Sequence, residues 1–191
     1  MNKPRILAFG GSLRKDSFNQ KLATIAAGYA REAGAEVTLI ALHDFRMPIY
    51  DADLEESEGM PENGAKLKAL FANHDGLLIA SPEYNSGITA ALKNAIDWVS
   101  RVTSPDEKPL SVFTGKTAAI VSASPGGYGG SRSLAQLRPL LENIHVTVVK
   151  EQLSVAKANE AFNDQDRLKD PKHDAELAAV CQALVAKLKE A

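Results

Sequence analysis

Arg5-Ile6-Leu7-Ala8-Phe9-Gly10-Gly11-Ser12-Leu13-Arg14-Lys15-Asp16-Ser17-Phe18-Asn19 reads as a strand, a glycine turn and the start of a helix. From Ile6 to Phe9 the run is continuously apolar, as a strand covered on both faces must be. Helical periodicity then takes over from about residue 17 to 33, with Leu22, Ile25, Ala26 and Tyr29 on one face and Gly34 as the stop. A buried strand that feeds directly into an amphipathic helix is the first half of a βαβ unit.

The same alternation recurs outward from this stretch. Further strands are predicted over residues 37–42, 76–80, 117–122 and 145–149, and further helices over about 62–73, 88–101, 131–142 and 173–190. Residues 43–61 read as irregular, 102–115 as a loop, and 156–172 as a polar excursion. Five strands alternate with five helices, without internal repeat or low-complexity linker, so the expectation is a single domain over 1–191. Right-handed crossovers leave few topologies. Five strands suit the flavodoxin-like α/β three-layer sandwich, a parallel sheet in order 2-1-3-4-5, better than the six-stranded dinucleotide fold. Ligands of such sheets bind beyond the carboxyl ends of the strands, here in the loops after strands one, three and four.

Composition bounds the rest. With 191 residues, 45% hydrophobic and 24% charged, the chain is long enough to bury a substantial core. A net charge of −2 offers no basic footprint for nucleic acid. No stretch approaches the roughly 18 to 20 apolar residues of a membrane span. The N-terminal apolar run is too short for a signal core and is expected to be a strand, which makes the cytoplasm the default compartment. One cysteine, Cys181, excludes an internal disulfide framework. It lies on the apolar stripe of the last helix and is expected to pack as a small hydrophobe. His43, His74, His145 and His173 show no metal-ligand spacing, and Ser12 and Ser17 have no histidine–carboxylate pattern beside them. Trp98 falls at helical spacing with Ala91, Ala95 and Val102, which points to core or interface packing.

The three loops carry the chemistry. In the first, Gly10 and Gly11 allow a sharp turn and close approach, and the helix start offers free amides and a positive dipole end. Ser12, Ser17, Asn19 and Arg14 add donors, a set that suits a terminal phosphate. The stretch matches neither the P-loop nor the Gly-x-Gly-x-x-Gly pattern. A plainer reading makes Ser17 a helix cap and Arg14 a solvated side chain. In the second loop, Ser81-Pro82-Glu83-Tyr84-Asn85-Ser86-Gly87, Pro82 restricts the backbone and Gly87 permits an unusual turn. Peptide groups held that way suit the edge of a planar heterocycle; equally, Asn85 or Ser86 suits a cap for the next helix.

Residues 11–19, Gly-Ser-Leu-Arg-Lys-Asp-Ser-Phe-Asn, resemble the N-terminal signature of the NADPH-dependent FMN reductase family. Pro82-Glu83-Tyr84-Asn85 and Leu92-Lys93-Asn94-Ala95-Ile96-Asp97-Trp98 are similar to its second signature, with the likeness nearest to bacterial chromate and quinone reductases. The resemblance implies non-covalent FMN, with NADH or NADPH as reductant and a quinone, flavin, chromate or similar small molecule as acceptor. It implies that Ser12, Arg14, Ser17 and Asn19 hold the FMN phosphate and that Pro82, Glu83, Tyr84 and Asn85 line the isoalloxazine and ribityl side. It also implies a homodimer or homotetramer, with the helix around Trp98 and Arg101 as a candidate surface.

The third loop, Ser122-Ala123-Ser124-Pro125-Gly126-Gly127-Tyr128-Gly129-Gly130-Ser131, permits close backbone approach. Amides at Ser124, Gly126 and Gly127 are expected to face the pyrimidine edge of the flavin, where the reduced form carries negative charge. The glycines alone also suit a mobile loop, and Tyr128 an acceptor pocket or a subunit contact. The cofactor would carry the redox chemistry by hydride transfer through N5, which removes any need for a catalytic triad. The alternative is an electron-carrier flavodoxin without direct NAD(P)H oxidation, although typical carriers are strongly acidic. A second alternative is an FMN-free regulatory or nucleotide-binding protein.

Overall fold

The computed structural model describes residues 3–190; Met1, Asn2 and Ala191, which the single-domain expectation takes in, lie outside it. Strands β1 (Arg5–Gly10), β2 (Glu36–Ala41), β3 (Gly76–Ala80), β4 (Thr117–Ala123) and β5 (Thr147–Val155) form one sheet in the order β2-β1-β3-β4-β5. All neighbours pair in parallel. This is the expected flavodoxin-like topology. Among the described residues, seven α-helices connect and cover it: α1 (Phe18–Glu32), α2 (Ala52–Glu58), α3 (Glu62–Ala72), α4 (Ala90–Val99), α5 (Ser131–Asn143), α6 (Ala158–Ala161) and α7 (Pro171–Lys189).

The strand period of two divides the core into halves. Ile6, Ala8, Leu78, Ala80, Ala119 and Val121 point into the half covered by α1 and α7. Leu7, Phe9, Leu77, Ile79, Ala118 and Ile120 point into the half filled by α3, α4 and α5. Small side chains on the facing helix, Ala23, Ala26, Ala27 and Ala30, let α1 lie close over the sheet. Close approach keeps its first turn against the strand ends.

Four expectations need correction. Residues 43–61 are not irregular throughout: a 3-10 turn covers Leu42–Phe45 and α2 follows. Because α2 buries no residue, it has no apolar period to betray it. Its start is set by the Asp51 carboxylate, which accepts the Asp53 amide at 2.9 Å. The fifth strand is displaced. His145 adopts a left-handed φ of 70°, so pairing begins at Thr147 and runs to Val155. Ala118 pairs with Val148 and Ile120 with Gln152, which leaves Val149, Lys150 and Glu151 opposite Ala119 as a bulge. Arg138 donates to the carbonyls of Val148 at 3.2 Å and Val149 at 2.9 Å, satisfying groups the bulge exposes.

The polar excursion at 156–172 contains α6 and an antiparallel bridge between Phe162 and Leu168. Phe162 stacks on Phe18 with ring centroids 6.0 Å apart, closing the excursion over the start of α1. Lastly, Trp98 is not at a surface. It is fully buried, packs edge-on against Tyr50 at 5.1 Å and donates its indole N–H to the Pro48 carbonyl at 2.9 Å. Asn94 adds two bonds, donating to the Pro48 carbonyl at 2.9 Å and accepting the Tyr50 amide at 2.7 Å. Arg101 is taken by Glu55 at 2.9 Å and lies over the Tyr50 ring. The chain's own 48–55 segment therefore covers this face of α4, and Trp98 packs in the core.

His74 and Cys181 have structural roles. The His74 ring bridges the Leu70 carbonyl at 2.6 Å and the Thr38 hydroxyl at 2.7 Å. Cys181 is buried against the Ala26 carbonyl, and burial pushes its thiol up to about 12, which keeps it protonated and inert. Among the described residues, no helix is long and apolar enough to cross a membrane.

Candidate functional site

The loop after β1 is built by packing more than by glycine flexibility. A Cβ on Gly10 would sit 2.8 Å from the Gln20 amide nitrogen, and one on Gly11 would press on Leu92 at 3.1 Å. Neither glycine has a positive φ. Both are needed so that the strand end can meet α1 and α4. Gly11 donates to the Ala80 carbonyl at 2.8 Å, and its own carbonyl accepts the Thr89 hydroxyl. Thr89 also caps α4 by accepting the Leu92 amide at 3.1 Å. One buried threonine thus fixes the first loop to the helix after the second.

Ser17 caps α1, accepting the Gln20 amide at 3.4 Å, so the plain capping role is realised. The amides of Phe18 and Asn19, in the first turn, have no intrahelical acceptor. Ser12 is buried and its oxygen accepts the Arg14 amide at 3.1 Å, which leaves its hydroxyl hydrogen to donate elsewhere. Arg14 is exposed, lies over the Phe18 ring at 5.1 Å, and forms no ion pair among the described residues. Asn19 is occupied: its Nδ2 donates to the Ala123 carbonyl at 2.7 Å and its Oδ1 accepts the Ala123 amide at 2.9 Å. Its neighbour Gln20 accepts the Gly10 amide and donates to the Ile40 carbonyl, both at 3.0 Å. Together these two amides fasten the start of α1 to β4 on one side and to β1 and β2 on the other.

In the second loop the unusual backbone is not at Gly87. Tyr84 and Gly87 exchange two backbone hydrogen bonds of 3.0 Å, and the positive φ values fall on Asn85 (52°) and Ser86 (67°). That is a two-residue turn of the type I′ kind, for which asparagine is suited. Helix capping falls to Thr89 instead of Asn85 or Ser86. Glu83 points to the third loop: one oxygen accepts the Arg132 backbone amide at 3.1 Å, and the carboxylate pairs with the Arg132 Nε at 3.1 Å.

In the third loop the glycines that must be glycine are Gly129 (φ 60°) and Gly130 (φ 91°), where a Cβ would come within 2.7 Å of Ala156 and Ser122 respectively. Ser122 holds the loop by donating to the Gly129 carbonyl at 2.7 Å. A Cβ on Gly127 would meet nothing and one on Gly126 only Ser124 at 3.9 Å, so these two are exposed and unconstrained by packing.

These loops enclose a cleft of about 70 Å³. Ser12, Arg14, Ser17, Phe18 and Asn19 line it from the first loop, Pro82, Glu83 and Tyr84 from the second, and Ala123, Ser124 and Pro125 from the third. Asn85, Gly126 and Gly127 lie outside the enclosed part. The volume is well below the roughly 300–1,000 Å³ of pockets that swallow a whole ligand. It suits an anionic group, with the rest of the ligand lying across the rim. The donor set agrees with that: hydroxyls, helix amides and an unpaired guanidinium, with the lining carboxylate of Glu83 already neutralised by Arg132. A larger hollow of about 400 Å³ adjoins Ser17, but it is bounded by Lys15, Lys21 and Arg167, is bordered by the Lys21–Asp166 ion pair, and is lined by neither later loop.

Sequence reasoning brought eight of its eleven site residues to this cleft. It missed Gln20, Thr89 and Arg132, which hold the loops through Ile40, Gly11 and Glu83 respectively. Thr89, followed by Ala-Ala-Leu, carried a readable capping signal; the others carried none.

A doubly wound parallel sheet in the order β2-β1-β3-β4-β5, with three loops gathered at its carboxyl edge, defines a flavodoxin-like α/β protein. The comparisons narrow this class. The model of the NADPH-dependent FMN reductase family matches residues 4–160. An NAD(P)H-dependent FMN reductase of Pseudomonas aeruginosa is 36% identical over 169 residues, 88% of this chain and 86% of that protein. A quinone reductase of Escherichia coli is 36% identical over 149 residues, 78% of this chain and 75% of its own. Among solved structures, the flavoenzyme NAD(P)H:(acceptor) oxidoreductase FerB of Paracoccus denitrificans superposes with a TM-score of 0.81 at 28% identity, covering 98% of each chain. The chain belongs to the NADPH-dependent FMN reductase family, a family of oxidoreductases.

Proposed function

We propose that this chain is a single-domain FMN-dependent oxidoreductase that takes reducing equivalents from NADH or NADPH and passes them to quinones, flavins, chromate or a similar small acceptor. The observation that carries the reading is the donor-rich cleft in which three separate loops converge on one anion-sized space. Bound FMN would supply the redox chemistry, linking two-electron oxidation of NAD(P)H to reduction of the acceptor. The protein's part is to bind, orient and leave one face open. Ser12, Arg14 and Ser17, with the first-turn amides of α1, hold the phosphate. Asn19, whose amide is spent on Ala123, sets the helix start against β4 and so acts as a positioning residue. Pro82, Glu83, Tyr84 and Asn85 form the ring-side rim, and the backbone of Ser124, Gly126 and Gly127 faces the pyrimidine edge. No protein general acid is required, since solvent can protonate a reduced quinone.

The proposed compartment is the cytoplasm, where NAD(P)H is at hand. The proposed assembly is a homodimer or homotetramer. Support comes from apolar side chains left exposed in the first loop and the 48–55 segment, Leu13 (40% exposed) and Ile49 (82%). Sedimentation as a monomer at micromolar concentration would reject it.

The decisive measurement is the absorbance of purified protein before and after anaerobic NADPH, followed by stopped flow. A bound flavin that bleaches within seconds supports the reading. A flavin that stays oxidised until a protein donor is added reassigns the chain as an electron carrier. Colourless protein that takes up no FMN overturns both.

A further inference from the structure

Arg132 occupies a position that neither the phosphate cleft nor the core accounts for. Its backbone amide and its Nε both bind Glu83, each at 3.1 Å, and its Nη1 donates to the Ser86 hydroxyl at 3.1 Å. Its guanidinium also lies over the Tyr128 ring, 4.1 Å from the centroid. One side chain therefore clips the second loop to the third. The third loop needs such a clip: Gly126 and Gly127 stand in open space, and the Tyr128 ring is 65% exposed. Since the guanidinium covers one face of that ring, the exposure falls on the other, in the loop that follows Pro125 of the cleft.

We propose that Arg132 is a positioning residue that holds Tyr128 as an aromatic platform for planar acceptors, and that Glu83 fixes Arg132 in that pose. This rests on the oxidoreductase reading above. An aromatic ring stacks with a flat conjugated molecule and gains little from a compact inorganic ion, so the platform is a selectivity element for quinone-like acceptors. Lysine cannot replace Arg132, because a point charge lacks the planar fork that reaches Glu83 and Ser86 while stacking on tyrosine.

The test compares a naphthoquinone with ferricyanide as acceptors for the wild type, Arg132→Ala, Arg132→Lys, Tyr128→Ala and Tyr128→Phe. The ratio of kcat/KM for the quinone over ferricyanide is expected to fall about fivefold in Arg132→Ala, Arg132→Lys and Tyr128→Ala, through KM for the quinone, and to persist in Tyr128→Phe. Hydrogen exchange of residues 124–130 is expected to quicken in Arg132→Ala and in Glu83→Gln. A ratio unchanged in Arg132→Ala, or lowered there but not in Tyr128→Ala, overturns the proposal. So does unchanged exchange in the third loop. If the wild type fails to oxidise NADPH with either acceptor, the oxidoreductase reading fails instead. Calorimetric titration of the naphthoquinone onto the wild type and Tyr128→Ala then still decides the platform, because equal affinities reject it.

Discussion

Among the described residues no carboxylate pairs with the Arg14 guanidinium, which lies over the Phe18 ring at the rim of the cleft proposed for the phosphate. A charge-assisted phosphate contact of this kind contributes about 1.5–3 kcal/mol. Arg14→Ala should therefore raise the FMN dissociation constant about tenfold to a hundredfold, measured by fluorescence titration of the apoprotein, while thermal unfolding without flavin stays unchanged. Asn19 behaves in the opposite way. It is 3% exposed and both ends of its amide are bonded to Ala123. Asn19→Ala would strand a buried N–H and a buried carbonyl, a cost of about 2–3 kcal/mol. Urea unfolding of the apoprotein should show that loss even before flavin is added, whereas a residue that only touched phosphate would show it with flavin alone.

At the level of elements, two attachments can be separated from the site. The 48–55 segment is strapped to α4 by Asn94, Trp98 and Arg101. Asn94→Ala removes two of those bonds, so amide exchange across 48–58 should speed up while exchange in β1, β3 and β4 holds; uniform acceleration would show that the strap is part of the core. The loop at 103–107 is attached to α3 by Lys68 and Glu107, which approach to 2.6 Å. Burial alone would raise the Glu107 carboxyl, but Lys68 and the Thr103 amide and hydroxyl outweigh it and hold the group at about 2 against an ordinary 4.5. A carboxylate lowered on folding stabilises above its unfolded value and loses that contribution as pH falls through the folded one. With partial solvent screening this amounts to about 1–2 kcal/mol. Glu107→Gln should therefore be less stable than the wild type at pH 7, with the gap closing between pH 4.5 and about 2. A gap independent of pH would reject the ion pair as its source.

Across the whole molecule, legibility followed distance along the chain. The order of the sheet was readable because β1, β3 and β4 are buried on both faces and so must be continuous apolar runs. The eight cleft residues were readable because each sits in a loop that directly follows such a strand, and a parallel sheet sends those loops to one edge. Where an element leans on solvent or on a distant side chain, the pattern was silent. Helix α2 buries nothing, and the outer half of β5 exposes Lys150, Glu151 and Gln152 at the sheet edge. Local sequence also misplaced strain: Gly87 looked like the special backbone position, yet Asn85 and Ser86 take it, because the Tyr84–Gly87 bridge closes a two-residue turn. What the order of residues settled by itself was the layered sheet and the edge where its three unusual loops gather, since periodicity and turn chemistry act over a few neighbours. Only the folded chain decided that Glu83 serves Arg132, that Asn19 serves β4, and that Trp98 lies inside, because those partnerships span 49, 104 and 50 positions and exist only once the strands have been laid side by side.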